Sequence, residues 1–366
     1  MNTQTKRWIT KALPAQETAK ALATALNVNP YVAVLLAQRG MQTFEEAKSF
    51  FRPSLTELHD PFLMRDMDKA VVRLIQAIEK NERILIYGDY DVDGTTSVSV
   101  FYGFLKKYYT NIEYYIPDRY KEGYGVSKAG MEHARDTHAK LIVSLDCGIR
   151  SVEMVQLAQS FGIDFIICDH HNPGEELPPA VAILDPKQKN CPYPYKELSG
   201  CGVGFKLLQA LCMRAGYSSD VLFEEIDLLA ISICSDIVPI TGENRVFTYY
   251  GIQKLNQAPR PGIQAIIDVS GLKKAIDVNS IVFTIGPRIN AAGRIDHAFA
   301  AVDLLLASNK LDAANFAGTI NDHNLVRREF DETITGEALT MIQNSVHVDT
   351  ACSTVLYKND WHKGVI

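Results

Sequence analysis

The first strong pattern in the chain is an apolar run that ends abruptly in alternating acidic residues. Residues 84–87 are continuously β-branched, aliphatic or aromatic, and Gly88 follows them. Such a short run predicts a buried strand. Asp89, Asp91 and Asp93 come immediately after it. Three crowded carboxylates repel one another unless a cation neutralises them, so a bound divalent metal is the simplest expectation.

The alternation of apolar runs and helical stretches continues downstream. Strands that alternate with helices at this spacing predict an α/β fold with a doubly wound parallel sheet. The further strands are predicted at 112–116, 141–145, 164–168 and 181–184, and the intervening helices at 95–108, 127–138 and 151–161.

Two more of these strands end in side chains that can bind a metal. Asp146 follows the strand over 141–145, and Asp169, His170 and His171 follow the next one. Because the carboxyl ends of parallel strands open on the same edge, we expect these groups to meet the first three aspartates. Carboxylates with a few imidazoles suit Mn²⁺ or Mg²⁺ better than a thiolate-preferring ion.

Two simpler interpretations of the aspartate motif compete with a catalytic site. An EF-hand loop also begins D-x-D-x-D-G, but its twelfth position requires Glu and here is Val100, and a strand rather than a helix precedes it. An exposed, Asp-rich turn is the structural alternative.

The segments before and after the predicted sheet read mainly as helices. Residues 1–80 are expected to be helical, with a helix start at Asn29-Pro30 and a capping box formed by Thr43 and Glu46. Residues 68–80 predict an amphipathic helix leading into the aspartate strand. The later predicted elements are a helix from Gly200 to Gly216, an apolar helix over 221–234, a long helix or helix pair over 311–344, and a strand beginning at 353–357.

Three later features are candidates for chemistry. The glycines of G-C-G-V-G, 200–204, fit close helix packing as well as phosphate binding. Asp236 follows the apolar helix and is a candidate metal ligand, since a buried acid needs a partner. Residues 251–300 carry a local positive excess, and within them Arg288, Asn290 and Arg294 stand among small residues, an arrangement that suits phosphate. A solvated basic face explains the charge alone equally well.

Bulk properties narrow the function classes. With 366 residues, of which 47% are hydrophobic, two domains are expected. The net charge of −6 argues against a generally basic nucleic-acid coat but permits a local channel. The seven cysteines contain no C-x-x-C pair, and no signal peptide or apolar membrane span is evident. A soluble cytoplasmic protein with no membrane partner is therefore expected.

Taken together, the ordered motifs resemble those of the DHH phosphoesterase family, most closely its bacterial single-strand-specific exonucleases. The resemblance implies metal-dependent hydrolysis of single-stranded DNA from the 5′ end to mononucleotides, in DNA repair and recombination. The matching motifs are D-Y-D-V-D-G at 89–94, S-L-D-C-G at 144–148, D-H-H at 169–171, S-D-I-V-P at 235–239, G-P-R-I-N-A-A-G-R-I at 286–295 and D-W-H-K-G-V-I at 360–366.

The resemblance also implies a role for each matching residue. Asp169, His171 and Arg119 would act in catalysis. Arg119 and Tyr124 would contact the substrate near the scissile phosphate, and Arg288, Asn290 and Arg294 would contact the DNA end, with Arg294 on the 5′-terminal phosphate. The implied ligands of one or two Mn²⁺ or Mg²⁺ ions are Asp89, Asp91, Asp93, Asp146, His170 and Asp236.

Two departures from the family pattern are visible. Some relatives carry a metal-binding His where this chain has Tyr87, which leaves the number of ions open. The family also continues past residue 366 into a second domain, so the chain is expected to be a fragment. The expected domains are a helical segment at 1–80, a DHH catalytic domain at 81–300, a linking helix at 301–348 and the start of a DHHA1-like domain at 349–366.

Two rival functions stay open beside the exonuclease. One is a related enzyme acting on short RNA, cyclic dinucleotides or pyrophosphate. The other is a catalytically silent scaffold of the same superfamily, although such proteins have lost metal ligands that this chain retains. By resemblance only, a single-stranded-DNA-binding protein and a helicase are expected partners.

Overall fold

The computed structural model describes residues 7–295, 297–345 and 353–366. The chain divides into two compact units, Met1–Leu58 and His59–Ile366. Cys352, which belongs to the cysteine set above, lies outside the described residues, and so do 349–352 of the expected last domain. The predicted domain limits at 80, 300 and 348 stay predictions.

The first unit is helical, as its capping signals predict. It contains α1 (Gln16–Leu26), α2 (Pro30–Ala37), α3 (Phe44–Phe51) and a 3₁₀ turn, Leu55–Glu57. The Asn29 side chain accepts a hydrogen bond from the Tyr31 amide at the start of α2. Thr43 and Glu46 form the predicted capping box of α3. Both predicted helix starts are therefore confirmed.

The second unit is built on a five-stranded parallel sheet in the order β2-β1-β3-β4-β5. β2 lies on one side of β1, and β3, β4 and β5 follow on the other side. This order defines a doubly wound sheet whose switch point lies between β1 and β3. The five strands predicted between residues 84 and 184 are confirmed. The strands are β1 (Ile84–Gly88), β2 (Ile112–Tyr115), β3 (Leu141–Leu145), β4 (Asp164–Cys168) and β5 (Ala182–Leu184).

Helices cover both faces of this sheet, which explains why its strands are apolar on both sides. Leu85, Ile142, Phe165 and Ile167 belong to one buried cluster, which packs against two of the crossover helices. The crossover helices are α5 (Val92–Lys106), α6 (Lys128–Asp136) and α7 (Val152–Ser160). The cluster includes residues of α6 and α7, and α5 contacts β1, β2 and β3.

The remaining helices of the second unit surround this centre. Before the sheet come a 3₁₀ turn, Pro61–Leu63, and α4 (Met67–Glu79). After it come α8 (Gly200–Ala215), α9 (Ser219–Phe223), α10 (Ile226–Ser235), α11 (Gly242–Gln257), α12 (Pro261–Ser270), α13 (Val278–Ser280), a π-helical turn (Ile281–Ile285), α14 (Gly286–Ile295), α15 (Phe299–Leu306) and α16 (Lys310–Gln343). Helix α16 is 34 residues long and contacts α12, α14 and α15.

Two predicted elements differ from the structure. The single helix predicted over 221–234 is wrong, because the chain breaks into α9 and α10 and thereby places Glu225 against Arg260, 2.8 Å away. The strand predicted at 353–357 is also wrong. Residues 353–358 form no regular element, and Val355 and Tyr357 are 94% and 76% exposed. A strand needs a neighbour to hydrogen-bond to, and the described part of the chain supplies none there.

In the described ranges, no single helix is both long enough and apolar enough to cross a membrane, although α1 and α2, bent by 119°, reach that length and composition as a pair.

Candidate metal centre and phosphate cleft

Three neighbouring strands bring acidic and imidazole side chains to one edge of the sheet. The backbone register pairs Gly88 with Leu145 and Leu145 with Cys168, so β1, β3 and β4 end at the same level. Asp89 and Asp146 follow the first two ends, and both are at most 2% exposed. Burial at this level excludes the exposed Asp-rich turn, and the predicted convergence of the strand ends is confirmed.

Local backbone features hold this edge in place. Asp91 caps α5 by accepting a hydrogen bond from the Gly94 amide at 3.0 Å. Gly94 lies so close to the Asp89 backbone that a Cβ there would be 2.3 Å from the Asp89 carbonyl oxygen. Asp146 has a φ of +59°, in the left-handed region where Asp and Asn are tolerated better than most residues. Gly94, the final glycine of D-Y-D-V-D-G, is therefore required by its close contact with the Asp89 backbone.

The His170 ring lies at the centre of a group of acidic side chains, Asp93, Asp146 and Asp236, which with Asp89 and Asp91 we call the acidic cluster. It is 5% exposed, and burial lowers the pKa of its imidazole, which favours the neutral form that binds metals. Its Nε2 atom faces three carboxylates, at 3.2 Å from Asp146 Oδ1, 3.5 Å from Asp236 Oδ2 and 3.8 Å from Asp93 Oδ2. Asp236, which the sequence marks only as a candidate, thus joins the cluster.

Several buried atoms of this cluster have no hydrogen-bond partner among the described residues. They are both carboxylate oxygens of Asp89, Oδ1 of Asp146 and both ring nitrogens of His170. Buried polar atoms without partners are costly, so the cluster is built for a ligand that supplies the missing interactions. A cation fits this site, because the atoms are acceptors or can serve as acceptors.

The donor set fits a hard divalent cation. Oxygen ligands about 2.1 Å from an ion, at right angles, lie about 3 Å apart, and the contacts of His170 Nε2 begin at 3.2 Å. Among the described residues, three sets of side chains have ligand atoms within 4.8 Å of one another: Asp146, His170 and His171; Asp93, His170 and Asp236; and Asp89, Asp91 and Asp146. These acidic and histidine groups are positioned to hold metal ions.

The pKa values of the carboxyl groups in the acidic cluster are raised, as expected where acids are crowded around an ion site. Burial, and then the charge of Asp91, raise the pKa of Asp89 to about 8. Burial, and then the charge of Asp93, raise the pKa of Asp236 to about 8 and that of Asp146 well above its ordinary value. Without a cation, this edge of the sheet therefore retains protons at neutral pH.

Asp93 differs from the other acids because its oxygens are already used. Oδ2 accepts a hydrogen bond from the Gly200 amide at 2.6 Å, and Oδ1 accepts from the Cys201 amide and the Ser232 hydroxyl. These contacts fix the start of α8 to the sheet edge that carries the acidic cluster, which we call the metal edge. Asp93 stays a predicted ligand through Oδ2, but its main observed contacts anchor α8.

The glycine motif at the start of α8 serves close packing. A Cβ at Gly200 would lie 2.5 Å from the Asp146 Cβ and 2.6 Å from its Oδ1. A Cβ at Gly204 would lie 2.9 Å from a methyl group of Leu145. Of the two interpretations left open for this motif, the packing one accounts for these contacts.

Hydrogen bonds connect the side chains of Asp169, His171 and Tyr124 beside the acidic cluster. Asp169 Oδ1 lies 2.7 Å from His171 Nδ1, and His171 Nε2 lies 3.2 Å from the Tyr124 hydroxyl. Burial alone would raise the pKa of Asp169, but hydrogen bonds from His171 and from the Ile149 amide outweigh it and lower that pKa. The hydrogen bond to Asp169 raises the pKa of His171. The predicted catalytic pair is thus assembled, with His171 reaching the open side of the edge.

Tyr87 is part of the fold and not a ligand in the acidic cluster. The side chain is fully buried, and its hydroxyl donates to the Gly125 carbonyl at 3.0 Å and accepts from the Ser127 amide at 3.0 Å. It therefore secures the end of the loop that carries Tyr124. Because Tyr87 contributes no ligand atom, the number of bound ions depends on the other predicted ligands.

The loop between β2 and α6 carries the predicted substrate residues Arg119 and Tyr124. The Arg119 guanidinium lies over the Tyr90 ring, 5.1 Å from its centroid, and Tyr124 is 61% exposed. The Tyr120 hydroxyl donates to the backbone carbonyl of Arg294. This bond links the loop to α14.

The predicted DNA-end residues separate into two groups. Asn290 and Arg294 line a cleft of about 230 Å³ together with Val92 and Ser235. Arg288 is absent from the described side chains that line this cleft, because its Nε donates to Asn321 Oδ1 and its Nη1 to the Thr284 carbonyl. We call this cavity the phosphate cleft, after the ligand that the sequence resemblance implies for Arg294. Its lining residue Arg327, on α16, was missed because it lies in none of the sequence motifs.

Residues 83–233 match the DHH family, N-terminal domain. This segment is a DHH-family domain. The DHH-family match starts with the aspartate strand and ends just before Asp236, so most of the residues that line the phosphate cleft lie beyond it.

Full-length comparisons extend the similarity across most of the chain. The chain is 39% identical to the single-stranded-DNA-specific exonuclease RecJ of Bacillus subtilis strain 168, over 96% of this chain and 44% of the relative. It is 33% identical to RecJ of Escherichia coli K12, over 92% of this chain and 60% of the relative. The chain therefore spans about half the length of the curated relatives it matches.

Solved structures give the same result for the fold. The chain superposes on RecJ from Thermus thermophilus in complex with Mn²⁺ with a TM-score of 0.82 and 26% identity, covering 96% of this chain and 50% of that one. It also matches an exonuclease RecJ bound to manganese, with a TM-score of 0.75 and 28% identity, covering 85% of this chain and 77% of that one.

The raised carboxyl pKa values predict that metal stabilisation increases with pH. Asp89 and Asp236 have ordinary pKa values near 4 in the unfolded chain and about 8 in the metal-free fold. Their contribution to stability is complete below pH 4 and is lost as the pH rises through 8. A divalent cation replaces the protons, so the increase in Tm on adding Mn²⁺ in place of EDTA should be several degrees larger at pH 8 than at pH 6. Equal increases at the two pH values would contradict this electrostatic description.

Proposed function

We propose that this chain contains the catalytic centre of a metal-dependent phosphodiesterase that hydrolyses single-stranded DNA from the 5′ end to mononucleotides. The observation that carries the proposal is the meeting of three strand ends in a buried cluster of carboxylates and one neutral imidazole. The facing atoms of Asp89, Asp146 and His170 lack partners among the described residues. The similarity to single-stranded-DNA-specific exonucleases supports the choice of substrate.

Mn²⁺ or Mg²⁺ is the proposed cofactor, held by the six predicted ligands. When bound, such an ion lowers the pKa of a coordinated water and neutralises charge on the phosphodiester. The candidate sets support one ion between Asp93, His170 and Asp236, with a second group of ligands in Asp89, Asp91 and Asp146.

His171 is proposed to hold and move a proton at Nε2. Asp169 fixes the ring through Nδ1 and stabilises its charged form, while Nε2 faces the Tyr124 hydroxyl. A histidine with a raised pKa can give its proton to a leaving oxygen near neutral pH. Asp169, which is buried and hydrogen-bonded to the Ile149 amide, is a positioning group for this step.

Arg119 and Tyr124 are proposed to position the single-stranded DNA over the acidic cluster. Arg119 would stabilise charge that develops on the phosphoryl oxygens. Tyr124 offers an exposed aromatic face, and stacking on aromatic faces is a sequence-tolerant way to bind unpaired bases. Asn290, Arg294 and Arg288 are proposed to contact the DNA end, although Arg288 already donates hydrogen bonds to Asn321 and Thr284.

The wider setting is part of the same proposal. We propose a cytoplasmic enzyme of DNA repair and recombination, with a single-stranded-DNA-binding protein and a helicase as partners. The proposed domain limits assign 81–300 to catalysis and place a second domain after the linking helix.

A comparison of substrate classes tests the function. Purified protein with Mn²⁺ is offered a 5′-phosphorylated single-stranded 20-mer, the same sequence as a blunt duplex, and dinucleotides, and release of mononucleotides is followed by chromatography. We expect the single strand to be consumed at least 100-fold faster than the duplex. Preference for dinucleotides would instead support the related enzyme acting on short substrates, and no turnover of any substrate with Mn²⁺ bound would support the silent scaffold.

A further inference from the structure

The guanidinium of Arg119 is held by an aromatic ring and not by a carboxylate. Within the described ranges it makes no hydrogen bond and no ion pair, and it lies over the face of the Tyr90 ring, 5.1 Å from the centroid. A carboxylate partner would take up N–H donors and cancel the positive charge. The face of a ring attracts a guanidinium and leaves its in-plane donors unused. Tyr90 therefore holds Arg119 while every donor stays available to a substrate.

The Tyr90 ring is itself fixed by its surroundings. Its side chain is 9% exposed, and it meets the Tyr124 ring nearly at right angles, with 6.3 Å between the centroids. Helix α14 approaches the backbone so closely that a Cβ at Gly293 would lie 2.6 Å from the Tyr90 carbonyl oxygen. Tyr90 thus provides a rigid surface that contacts both predicted substrate residues of the loop between β2 and α6.

Other residues anchor the backbone of this loop. The Glu122 carboxylate accepts hydrogen bonds from the Asp118 amide at 2.7 Å and from the Tyr115 hydroxyl at 2.9 Å. These contacts hold the chain around Arg119, but neither of them involves its guanidinium. The direction of the Arg119 side chain therefore depends on the Tyr90 ring.

Tyr90 also stands between two predicted metal ligands, Asp89 and Asp91. The backbone segment that brings these carboxylates to the metal edge brings the ring as well. The ring consequently fixes the place of Arg119 relative to the acidic cluster. Such precision matters, because a displacement of about 1 Å in a catalytic group can cost about 10²-fold in rate.

We propose that Tyr90 is a positioning residue whose ring orients the Arg119 guanidinium toward the scissile phosphodiester. This inference rests on the proposed function and adds to it a residue that acts through Arg119. The ring is the part that acts, since no hydrogen bond joins the Tyr90 hydroxyl to any described residue. Phenylalanine should therefore replace tyrosine at this position, and an aliphatic side chain should not.

Steady-state kinetics on a 5′-phosphorylated oligothymidylate with Mn²⁺ test this role. Tyr90→Phe keeps the ring, Tyr90→Leu removes it, and Arg119→Gln removes the charge. The double variant Tyr90→Leu/Arg119→Gln completes a double-mutant cycle. Tyr102→Leu is the matched control, because it breaks a comparable contact between Lys106 and the Tyr102 ring, 5.6 Å apart, on α5.

Two further measurements separate positioning from a general disturbance of the site. Circular dichroism establishes that each variant is folded, and Tyr90→Met takes the place of Tyr90→Leu if the latter does not fold. The Mn²⁺ concentration for half-maximal turnover reports on the metal edge. Fluorescence anisotropy in EDTA measures the affinity for the oligothymidylate without turnover.

We expect Tyr90→Leu to lower kcat about tenfold and to change KM and the affinity in EDTA by less than about threefold, because Arg119 acts on charge that develops in the transition state. Tyr90→Phe and Tyr102→Leu should stay within about twofold of wild type. The double variant should match Arg119→Gln, since without the guanidinium the ring has nothing to orient. The Mn²⁺ requirement of Tyr90→Leu should equal that of wild type.

The inference is wrong, while the proposed function stands, if wild type digests single strands and the folded Tyr90→Leu variant keeps wild-type kcat. It is also wrong if the losses multiply in the double variant, if Tyr90→Phe loses as much as Tyr90→Leu, or if Tyr90→Leu requires more Mn²⁺. If folded wild type with Mn²⁺ digests no single strand, the proposed function and this inference are both wrong.

Discussion

Replacing Asp146 by Asn should reduce metal-dependent turnover by at least 10³-fold, which corresponds to about 4 kcal/mol of transition-state stabilisation. Asp146 belongs to two of the three candidate ligand sets, and its Oδ1 lies 3.2 Å from His170 Nε2. Asn keeps the size of the side chain and tolerates the positive φ of this position, so the backbone should not change. The variant removes the charge that a cation requires.

The same substitution should leave the metal-free protein at least as stable as wild type. Burial and the neighbouring acids raise the pKa of Asp146 well above its ordinary value, so a neutral side chain relieves repulsion. We therefore expect an unchanged or higher Tm in EDTA, together with a smaller increase in Tm on adding Mn²⁺. Thermal denaturation with and without Mn²⁺ measures both.

Asp185→Asn is the matched control for Asp146→Asn. Asp185 is also a fully buried aspartate directly after a parallel strand, but it belongs to none of the candidate ligand sets found in the described residues. Its substitution should change turnover less than tenfold and preserve the response to Mn²⁺. Wild-type turnover in a folded Asp146→Asn variant would show that the metal lies elsewhere.

Adding one methyl group at Gly200 should lower turnover about 10²-fold, a loss comparable to a misplacement of about 1 Å in a catalytic group. The new Cβ would lie 2.6 Å from Asp146 Oδ1 and 2.7 Å from its Cα, so the carboxylate or α8 must move. Movement of α8 would also disturb the amides of Gly200 and Cys201 that bind Asp93. Steady-state kinetics with Mn²⁺ measures the loss.

Gly202→Ala is the control on the same helix. Its Cβ would meet Leu198 and the Ser199 hydroxyl no closer than 3.4 Å, an ordinary contact distance. Alanine also favours the helix more than glycine does. The control should keep wild-type turnover and an equal or higher Tm. Equal turnover in both glycine variants would mean that the close approach of α8 to Asp146 does not position the metal edge.

The positions of the strand-end ligands could be predicted because they follow from local patterns and one topological rule. The apolar runs at 84–87, 141–145 and 164–168 define strands, and parallel strands with right-handed crossovers end on the same edge. The sequence alone therefore predicts that Asp89, Asp146 and His170 meet. Asp236 could not be placed in this way, since it follows a helix and joins the cluster only through the packing of α10.

Other features depend on contacts between distant segments and have no local signal. The two carboxylate oxygens of Asp93 are used by α8, more than 100 residues later in the chain. The break between α9 and α10 follows from the ion pairs of Glu225 and Asp227 with Arg260, which an apolar run does not indicate. Arg327 was missed because a long helix with many charged residues gives no indication of which face meets α14.

Digestion of end-labelled single strands tests the central claim most directly. A 5′-labelled and a 3′-labelled 30-mer are incubated with the wild-type chain and with Asp146→Asn, each in Mn²⁺ and in EDTA. We predict that wild type with Mn²⁺ releases the 5′ label at once as a mononucleotide while the 3′-labelled strand shortens progressively, and that EDTA or Asp146→Asn abolishes both. Digestion that persists in EDTA, or that survives Asp146→Asn, would contradict the assignment of this sheet edge as the catalytic metal centre.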